Sequence, residues 1–216
     1  MKILIYSDVH GNLPAFEQML KVEDKCDEYI SLGDLVNYGP WSNECVDLAL
    51  SLPNSTLLMG NHEEAFIDGK YPGSNPLVQS FFGKTFPSFT RKEEIRGFAK
   101  ESRLGKFICT HTINDASIYP DTELQLDANY IIGHSHHQFR YTNNNFELFN
   151  AGSVGQNRKF IDEINYLTFD SETSKITMKS LVYDVDLLLG QMIHEGYPQA
   201  CMDYYLSKER RGGCSR

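Results

Sequence analysis

The chain has 216 residues, of which 41% are hydrophobic and 23% are charged, and its formal net charge is −9. This length fits one domain with a sizeable core, and the composition is typical of a globular protein. The negative charge argues against avid nonspecific binding to nucleic acid, because such binding depends on Lys and Arg contacts to phosphates. No apolar run approaches the roughly 20 residues that a membrane span needs.

The first sixty residues alternate between strand-like and helix-like segments. Strands are predicted at Lys2–Ser7, Tyr29–Leu32 and Thr56–Met59, and helices at Leu13–Glu23 and Trp41–Leu52. Ser42 is expected to cap the second helix. This rhythm is typical of βαβ units with a parallel sheet, in which ligands gather beyond the carboxyl ends of the strands.

The middle of the chain, about residues 64–105, loses this rhythm. It is punctuated by Gly and Pro and is rich in aromatic residues. We expect a small, aromatic-rich cap of short helices near the functional site. The sequence leaves open whether these aromatic side chains form a substrate-binding wall or a satellite hydrophobic cluster under long loops.

Shorter strands dominate from residue 107 onward. They are predicted at Phe107–Thr110, Tyr130–Ile132, Phe139–Thr142, Phe146–Asn150, Ile164–Asp170 and Ile176–Tyr183. Residues 143–145, all Asn, are expected to form a hairpin turn. Helices at Val185–Glu195 and Pro198–Leu206 close a single domain that spans residues 1–216, and a disordered tail is expected after about residue 208.

Five dispersed cysteines show neither zinc-like spacing nor an evident disulfide pair. An odd number of scattered cysteines is typical of reduced thiols. The first residues are too few, before Asp8, to form a signal peptide. These features predict a cytoplasmic protein.

Seven side chains that can bind metal ions stand in five short clusters, each at the end of an apolar, strand-like run. They are Asp8 and His10, Asp34, Asn61, His111, and His134 and His136. Each cluster alone is a weak signal, because Asp, Asn and His are common in solvated turns. Together they offer oxygen and nitrogen ligands and no sulfur, and they predict a two-metal site for phosphate chemistry.

Two metal ions about 3.5–4 Å apart need a bridging carboxylate, neutral imidazole ligands and open positions for substrate. A water that bridges such ions loses a proton and becomes the nucleophile. The amide oxygen of Asn61 can bind a metal without adding negative charge. His62, next to Asn61, is the candidate catalytic residue, which either protonates the leaving oxygen or stabilises charge on the phosphoryl group.

These residues, in this order, resemble the motifs of the calcineurin-like metallophosphoesterases. The resemblance runs through Asp8-Val9-His10, Gly33-Asp34, Gly60-Asn61-His62-Glu63, His111 and Gly133-His134-Ser135-His136, and residues 33–40, 43–46 and 150–158 resemble the small single-domain branch of bacteria and archaea. It implies a four-layer α/β/β/α sandwich of two mixed sheets flanked by helices. It says little about the substrate.

The resemblance also implies a role for each ligand. One ion would be held by Asp8, His10 and His136, the second by Asn61, His111 and His134, with Asp34 as the bridge and His62 facing the substrate phosphate. Such ligands fit Mn²⁺, Fe²⁺, Zn²⁺, Co²⁺ or Ni²⁺. We expect two such ions, with Mn²⁺ the metal of choice in activity assays.

The chain departs from its relatives in the loop after Asp34. Protein Ser/Thr phosphatases of this superfamily carry Asp-Arg-Gly there, and the Arg binds phosphate, whereas this chain has Asn37-Tyr38-Gly39. The missing Arg argues against a dedicated phosphoprotein phosphatase. The missing Asp removes a carboxylate that would orient a protonated His62. Arg158 can contact substrate or form a surface salt bridge, and we favour the salt bridge.

The sequence therefore predicts a metal-dependent hydrolase of phosphate esters in which a metal-bridging hydroxide attacks phosphorus. Phosphodiesters are the favoured substrates; a phosphomonoesterase, a dinucleoside polyphosphate hydrolase and a nuclease are alternatives, and the acidic charge counts against the nuclease. A catalytically weak protein-binding scaffold, as in a retromer subunit, ranks lower because every ligand position and His62 are present. A small phosphate ester is the expected partner, without stable nucleic-acid binding or a membrane, and homo-oligomerisation stays open.

Overall fold

The chain folds into two five-stranded sheets, seen in a computed structural model that describes residues 1–143 and 145–212. The strands in this part of the chain are β1 (Lys2–Tyr6), β2 (Glu28–Ser31), β3 (Ser55–Leu57), β4 (Glu101–Leu104), β5 (Phe107–Thr110), β6 (Asn129–Ile132), β7 (Gln138–Asn143), β8 (Phe146–Ala151), β9 (Glu163–Asp170) and β10 (Lys175–Val182). The helices are α1 (Leu13–Val22), α2 (Ser42–Ser51), α3 (Asn61–Asp68), α4 (Pro76–Thr85), α5 (Lys92–Arg96), α6 (Asp186–His194) and α7 (Gln199–Leu206), with a 3-10 helix at Phe86–Ser88.

Both sheets are mixed. The first has the order β10-β9-β1-β2-β3 and the second the order β4-β5-β6-β8-β7. The strands β1, β2 and β3 are parallel, as are β5, β6 and β8, while β9, β10, β4 and β7 run antiparallel to their neighbours. The predicted α/β sandwich of two mixed sheets flanked by helices is confirmed. The pairing of β7 with β8 also confirms the predicted hairpin, of which Asn144 lies outside the described residues.

The core between the sheets is built from alternate residues of their strands. Ile3 and Ile5 of β1 pack there with Ile131 and Phe149 of the second sheet. Successive side chains of a strand point to opposite faces, so the other face of β1 packs against the helices. A strand that is covered on both faces reads as a continuous apolar run, which is why β1 is evident in the sequence.

The outer layers of the two sheets differ. Every α-helix contributes a buried side chain to the cluster that covers the outer face of the first sheet. The outer face of the second sheet is covered by residues 112–128, all of which are described and none of which is helical; their Ile118 packs with Ile132 and Leu148. Asn, Asp, Pro and Thr in this segment favour turns over a helix. Among the described residues, no helix is both long and apolar enough to cross a membrane.

The predicted cap at about residues 64–105 is largely helical, and its aromatic side chains belong to the main core. The ring of Phe66 lies 5.2, 5.6 and 4.9 Å from the rings of Phe82, Phe86 and Phe89, measured between centroids. Phe66 is in the same buried cluster as Tyr6 of β1. The cap also ends in β4, a strand that was missed because it is short and mostly exposed.

Two local predictions differ from the structure. Trp41, not Ser42, is the N-cap residue of α2, because the Ser42 hydroxyl accepts a hydrogen bond from the Asn37 N–H at 3.0 Å instead. The predicted disorder after about residue 208 does not hold for residues 209–212, where the Asp162 carboxylate accepts hydrogen bonds from the N–H groups of Arg211 and Gly212 at 2.7 and 2.9 Å. Residues 213–216 of that predicted tail lie outside the described residues.

Replacing Leu167 with Ala is expected to lower the free energy of unfolding by about 2–5 kcal/mol. Leu167 is fully buried between the two sheets, and its truncation leaves a cavity there. Leu187 on α6 is 58% exposed, so Leu187→Ala is the control and should change the free energy by less than about 0.5 kcal/mol. Urea unfolding measures both, and equal effects would contradict this placement of the core.

Candidate metal centre

The seven predicted ligands meet at one edge of the sandwich, beyond the carboxyl ends of parallel strands. Asp8 and His10 follow β1, Asp34 follows β2, Asn61 begins α3 after β3, His111 follows β5, and His134 and His136 follow β6. Five of them are buried, and Asn61 and His134 are half-buried. The first sheet thus supplies four ligands and the second sheet three.

One group of ligands surrounds Asp8. Its Oδ1 lies 3.2 Å from Nε2 of His136 and 3.6 Å from Nε2 of His10. The two Nε2 atoms are 3.1 Å apart. Oδ2 of Asp34 lies 3.8 Å from Nε2 of His10. Asp8, His10, His136 and Asp34 therefore offer four donor atoms that all lie within 4.8 Å of one another.

A second group lies beside it. Nε2 of His111 is 3.1 Å from Oδ1 of Asn61 and 3.1 Å from Nδ1 of His134. Oδ1 of Asn61 is 2.9 Å from Nδ1 of His134. Oδ2 of Asp34 is 3.3 Å from Nε2 of His111. Asp34 is therefore the carboxylate that both groups share.

Hydrogen bonds on the outer side of each imidazole decide which nitrogen faces the centre. The outer partners are the carbonyl oxygens of Val36 for His10 at 3.0 Å, Leu32 for His111 at 2.9 Å and Gln156 for His136 at 2.8 Å. A carbonyl only accepts, so each of these Nδ1 atoms carries a proton and presents Nε2 to the centre. His134 is turned the other way, because its Nε2 bonds to Ser117 Oγ at 3.0 Å.

Backbone N–H groups fix the outer oxygen of each carboxylate. The N–H of His134 donates to Oδ2 of Asp8 at 3.0 Å, and the N–H of His62 donates to Oδ1 of Asp34 at 2.9 Å. The remaining oxygens, Oδ1 of Asp8 and Oδ2 of Asp34, point at the histidine nitrogens. Each carboxylate is thus oriented before any ion binds.

Glu63 holds the loop that carries Asp34, a role that the sequence did not reveal. Its buried carboxylate accepts hydrogen bonds from the N–H groups of Asp34 at 2.7 Å, Leu35 at 2.7 Å and Gly60 at 2.9 Å. Burial, and next the charge of Asp34, raises the pKa of Glu63 to about 7. Its position three residues after the N-cap Gly60 of α3 is the signal that could have found it.

The ligand loops hold strained backbone. Five of the seven ligands have a positive φ: 55° at Asp8, 50° at His10, 58° at Asp34, 67° at His134 and 60° at His136. Residues with a Cβ rarely adopt this region, and such strain persists only where the surroundings enforce it. Here it turns each side chain from the end of its strand towards the common centre.

His62 lies next to both groups as a neutral hydrogen-bond donor. Its Nδ1 accepts a hydrogen bond from Nδ2 of Asn37 at 2.8 Å, because Oδ1 of Asn37 is taken by the Thr85 hydroxyl and the Tyr38 N–H. The ring stacks on Tyr71 with centroids 5.6 Å apart. Burial lowers the pKa of His62 to about 3. Its single proton therefore sits on Nε2.

The pKa values of the carboxylates and histidines at the centre depend on one another's charges. Burial alone would raise the pKa of Asp8 and of Asp34, but the neighbouring histidines outweigh burial and hold both below the usual range. Burial, and next the charge of Arg158, lowers the pKa of His136 to about 3. For His111, the carboxylate of Asp34 outweighs burial and raises the pKa to about 10.

The residues present fit metal binding. Oδ1 of Asp8 is buried and has no hydrogen-bond partner among the described residues. Its neighbours, Nε2 of His136 and of His10, present lone pairs, since their protons are on Nδ1. A buried carboxylate oxygen beside two acceptors is costly without a cation. Carboxylate, amide and imidazole donors suit divalent first-row transition metals.

A cavity of about 250 Å³ adjoins both groups. Its lining includes Asp34, His62 and His134, and Tyr71 and Val78 from the cap. The cap thus contributes both to the main core and to the wall of the cavity.

Arg158 also lines this cavity. The predicted surface salt bridge is wrong: within the described part of the chain, Arg158 has no carboxylate partner, and its Nη1 donates to the Tyr204 hydroxyl at 3.1 Å. Arg158 is thus an exposed residue that lines the cavity, with the Tyr204 hydroxyl as its hydrogen-bond partner.

Comparisons with known proteins agree with this architecture. The sequence profile described as calcineurin-like phosphoesterase matches residues 1–162. An uncharacterized protein of Methanocaldococcus jannaschii is 25% identical over 236 aligned positions, which cover 91% of this chain and 94% of that protein.

Two solved structures share the fold over nearly their whole length. A metallophosphoesterase from Sphaerobacter thermophilus is 23% identical, with a TM-score of 0.78, and the alignment covers 96% of this chain and 98% of that chain. A hypothetical protein from Pyrococcus horikoshii OT3 is 15% identical, with a TM-score of 0.75 and coverage of 94% and 97%. Because the family's sequence profile matches residues 1–162, most of the chain, this protein belongs to the calcineurin-like phosphoesterase family.

Proposed function

We propose that the protein hydrolyses phosphate esters, with phosphodiesters favoured, at a site that holds two divalent transition-metal ions. The observation that carries this proposal is the position of Asp34, whose Oδ2 lies 3.3 Å from Nε2 of His111 and 3.8 Å from Nε2 of His10. One carboxylate between two clusters of oxygen and nitrogen donors suits a pair of ions that act on one phosphate. Membership of a phosphoesterase family supports the same chemistry.

Each ion has its own ligands in this proposal. Asp8, His10 and His136 would hold one ion, Asn61, His111 and His134 the other, and Asp34 both. When bound, such ions offset the charge of the phosphate and lower the pKa of water, so that a nucleophile is available near neutral pH. We propose Mn²⁺ as the first metal to assay.

His62 stabilises charge on the phosphoryl group as a hydrogen-bond donor. Because Asn37 donates to Nδ1, only Nε2 has a proton to offer. A neutral imidazole is a weak acid, so this contact stabilises negative charge rather than delivering a proton to the leaving group. Aryl esters, whose leaving oxygen needs little protonation, are therefore suitable substrates.

The preference for diesters rests on the loop after Asp34. Residues 37–39 supply no cation there, so this loop adds no positive charge for the dianion of a monoester, whereas the same loop of the related phosphoprotein phosphatases carries an Arg. The monoanion of a diester needs less compensation. The cavity of about 250 Å³ suits a small ester rather than a protein surface.

The cysteines at 26, 45, 109 and 201 are free thiols, and we propose the reducing cytoplasm as the compartment.

Asp34→Asn is expected to abolish metal binding and to lower turnover of a bis-aryl phosphodiester by at least about 100-fold. Loss of a residue that only hydrogen-bonds to a metal ligand already lowers metal affinity or activity by about 10–100-fold, and Asp34 is a proposed ligand itself. Elemental analysis and hydrolysis assays on the same sample measure both. Asp68→Asn alters an exposed carboxylate of α3 and serves as the control. Full metal content and turnover in Asp34→Asn would refute the shared-carboxylate site.

His62→Ala should lower kcat on the same diester by about 100- to 1,000-fold, the usual effect of removing one donor to a developing charge. The metal content should stay at the wild-type level, because His62 is not among the proposed ligands. The exposed His194 of α6 provides the control variant His194→Ala. An unchanged kcat would show that His62 does not contact the phosphoryl group.

Metal binding at pH 7 is expected to release a proton from His111. Burial lowers the pKa of His111, but the Asp34 carboxylate outweighs burial and raises it to about 10 in the absence of an ion. A histidine must be neutral to bind a metal. Affinity should therefore rise with pH, about tenfold per pH unit where one proton is displaced. Calorimetry in two buffers of different ionisation enthalpy counts the protons, and His111→Gln should release fewer. Equal heats in both buffers would contradict this assignment.

A further inference from the structure

We propose that Arg158 binds a non-bridging oxygen of the substrate phosphate and that Tyr204 positions it for this contact. The inference rests on the proposed function and adds a substrate-binding residue to it. Among the described residues that line the cavity beside the two ligand groups, Arg158 is the one Arg or Lys. It is therefore the permanent positive charge that the chain itself brings to the phosphate.

The guanidinium of Arg158 is free to bind an anion. Its Nη1 donates to the Tyr204 hydroxyl, which is a neutral partner. Five other arginines of the described chain are paired with carboxylates: Arg91 with Asp47, Arg96 with Glu93, Arg140 with Glu147, Arg210 with Asp186 and Arg211 with Glu163. Arg103 has no such pair among the described residues, and it does not line the cavity. A carboxylate partner offsets the charge of a guanidinium, whereas Arg158 keeps its charge, together with Nε and Nη2, for a ligand.

Tyr204 of α7 restricts where this guanidinium can lie. Its hydroxyl accepts from Arg158 at 3.1 Å and donates to Oε1 of Gln156 at 3.3 Å. The ammonium of Lys208 lies 4.4 Å from the centroid of the Tyr204 ring and donates to the Asn157 carbonyl at 2.8 Å. These contacts tie α7 to the loop between β8 and β9, so that the arginine is held before substrate arrives.

The same loop connects Arg158 to the metal centre. The carbonyl of Gln156 accepts the outer hydrogen bond of His136 at 2.8 Å. Arg158 lies two positions after Gln156 in the chain, so the position of His136 and the position of the guanidinium depend on one short piece of backbone. A phosphate held at the ligand groups is then within the same cavity as the guanidinium.

The chemistry of the contact is that of a charge-assisted hydrogen bond. The planar guanidinium fits phosphate oxygens, and its charge does not titrate near neutral pH. The loop after Asp34 carries Asn37 where related phosphatases carry a phosphate-binding motif with Arg. Arg158 supplies a cation from the loop between β8 and β9, which connects the second sheet to the first. Diesters and monoesters both have non-bridging phosphate oxygens, so Arg158 can bind either kind of substrate.

The test compares binding of inorganic phosphate to the metal-loaded protein in Arg158→Gln and wild type. A hydrogen bond to a charged group contributes about 1.5–3 kcal/mol, so the Kd of phosphate and the KM for aryl esters should rise about 10- to 100-fold. The metal content should stay unchanged. Arg158→Lys keeps the charge but loses the planar pair of N–H donors, so its Kd for phosphate should lie between those of wild type and Arg158→Gln. Arg103→Gln removes an exposed arginine of β4 and is the control.

The role of Tyr204 is tested by a double-mutant cycle. Tyr204→Phe should raise the Kd of phosphate by about 3- to 10-fold in the wild-type background, as expected for one hydrogen bond. In the Arg158→Gln background the same change should have no further effect, because there is no guanidinium left to position. A purely structural role of Tyr204 would give additive effects and would overturn the positioning claim.

Several outcomes separate this inference from the proposed function. If Asp34→Asn abolishes turnover while Arg158→Gln leaves the Kd of phosphate unchanged, only the inference fails. A loss of affinity confined to pyrophosphate would place the guanidinium on a second phosphate and also overturns it. If the wild-type protein binds metal and phosphate but hydrolyses no ester, the proposed function fails, and calorimetry with phosphate still decides the role of Arg158.

Discussion

The arrangement of the site depends on one buried carboxylate, Asp34, that lies between two sets of candidate ligands. Burying a charged oxygen away from water is favourable only where positive charge or N–H donors compensate it. The N–H of His62 fixes one oxygen of Asp34 at 2.9 Å, and the other oxygen faces Nε2 of His111 at 3.3 Å. The Glu63 carboxylate accepts a hydrogen bond from the Asp34 N–H at 2.7 Å. Every other feature of the centre follows from where these atoms are held.

The sandwich is the scaffold that keeps this carboxylate in register with its partners. Asp34 belongs to the first sheet, and His111 belongs to the second, so their distance depends on how the two sheets pack. The dry core between the sheets, with Ile5 and Leu167 fully buried, fixes that packing. Close-packed interiors deform little, and this rigidity also sustains the positive φ angles of the ligand loops. Stability and ligand geometry therefore rest on the same contacts.

In the proposed function, two side chains outside the ligand groups act on the phosphate. His62 offers a neutral N–H, because the Asn37 amide takes the place where a carboxylate would favour an imidazolium. Arg158 lines the same cavity and carries a fixed positive charge, with Tyr204 as its hydrogen-bond partner. Charge stabilisation is thus divided between a donor that is not acidic and a cation that does not titrate. This division suits leaving groups that depart without a proton.

The sequence by itself determined the family, the alternation of strands and helices and the seven candidate ligand residues. These are local features: an apolar run followed by a polar ligand can be read without knowing its neighbours in space. Only the tertiary structure decided which nitrogen each histidine presents, that Glu63 supports Asp34, that residues 112–128 cover the second sheet without a helix, and that Arg158 faces the cavity rather than a carboxylate. Such features depend on contacts between distant residues, 25 apart for Asn37 and His62 and 46 apart for Arg158 and Tyr204, and no local pattern specifies them.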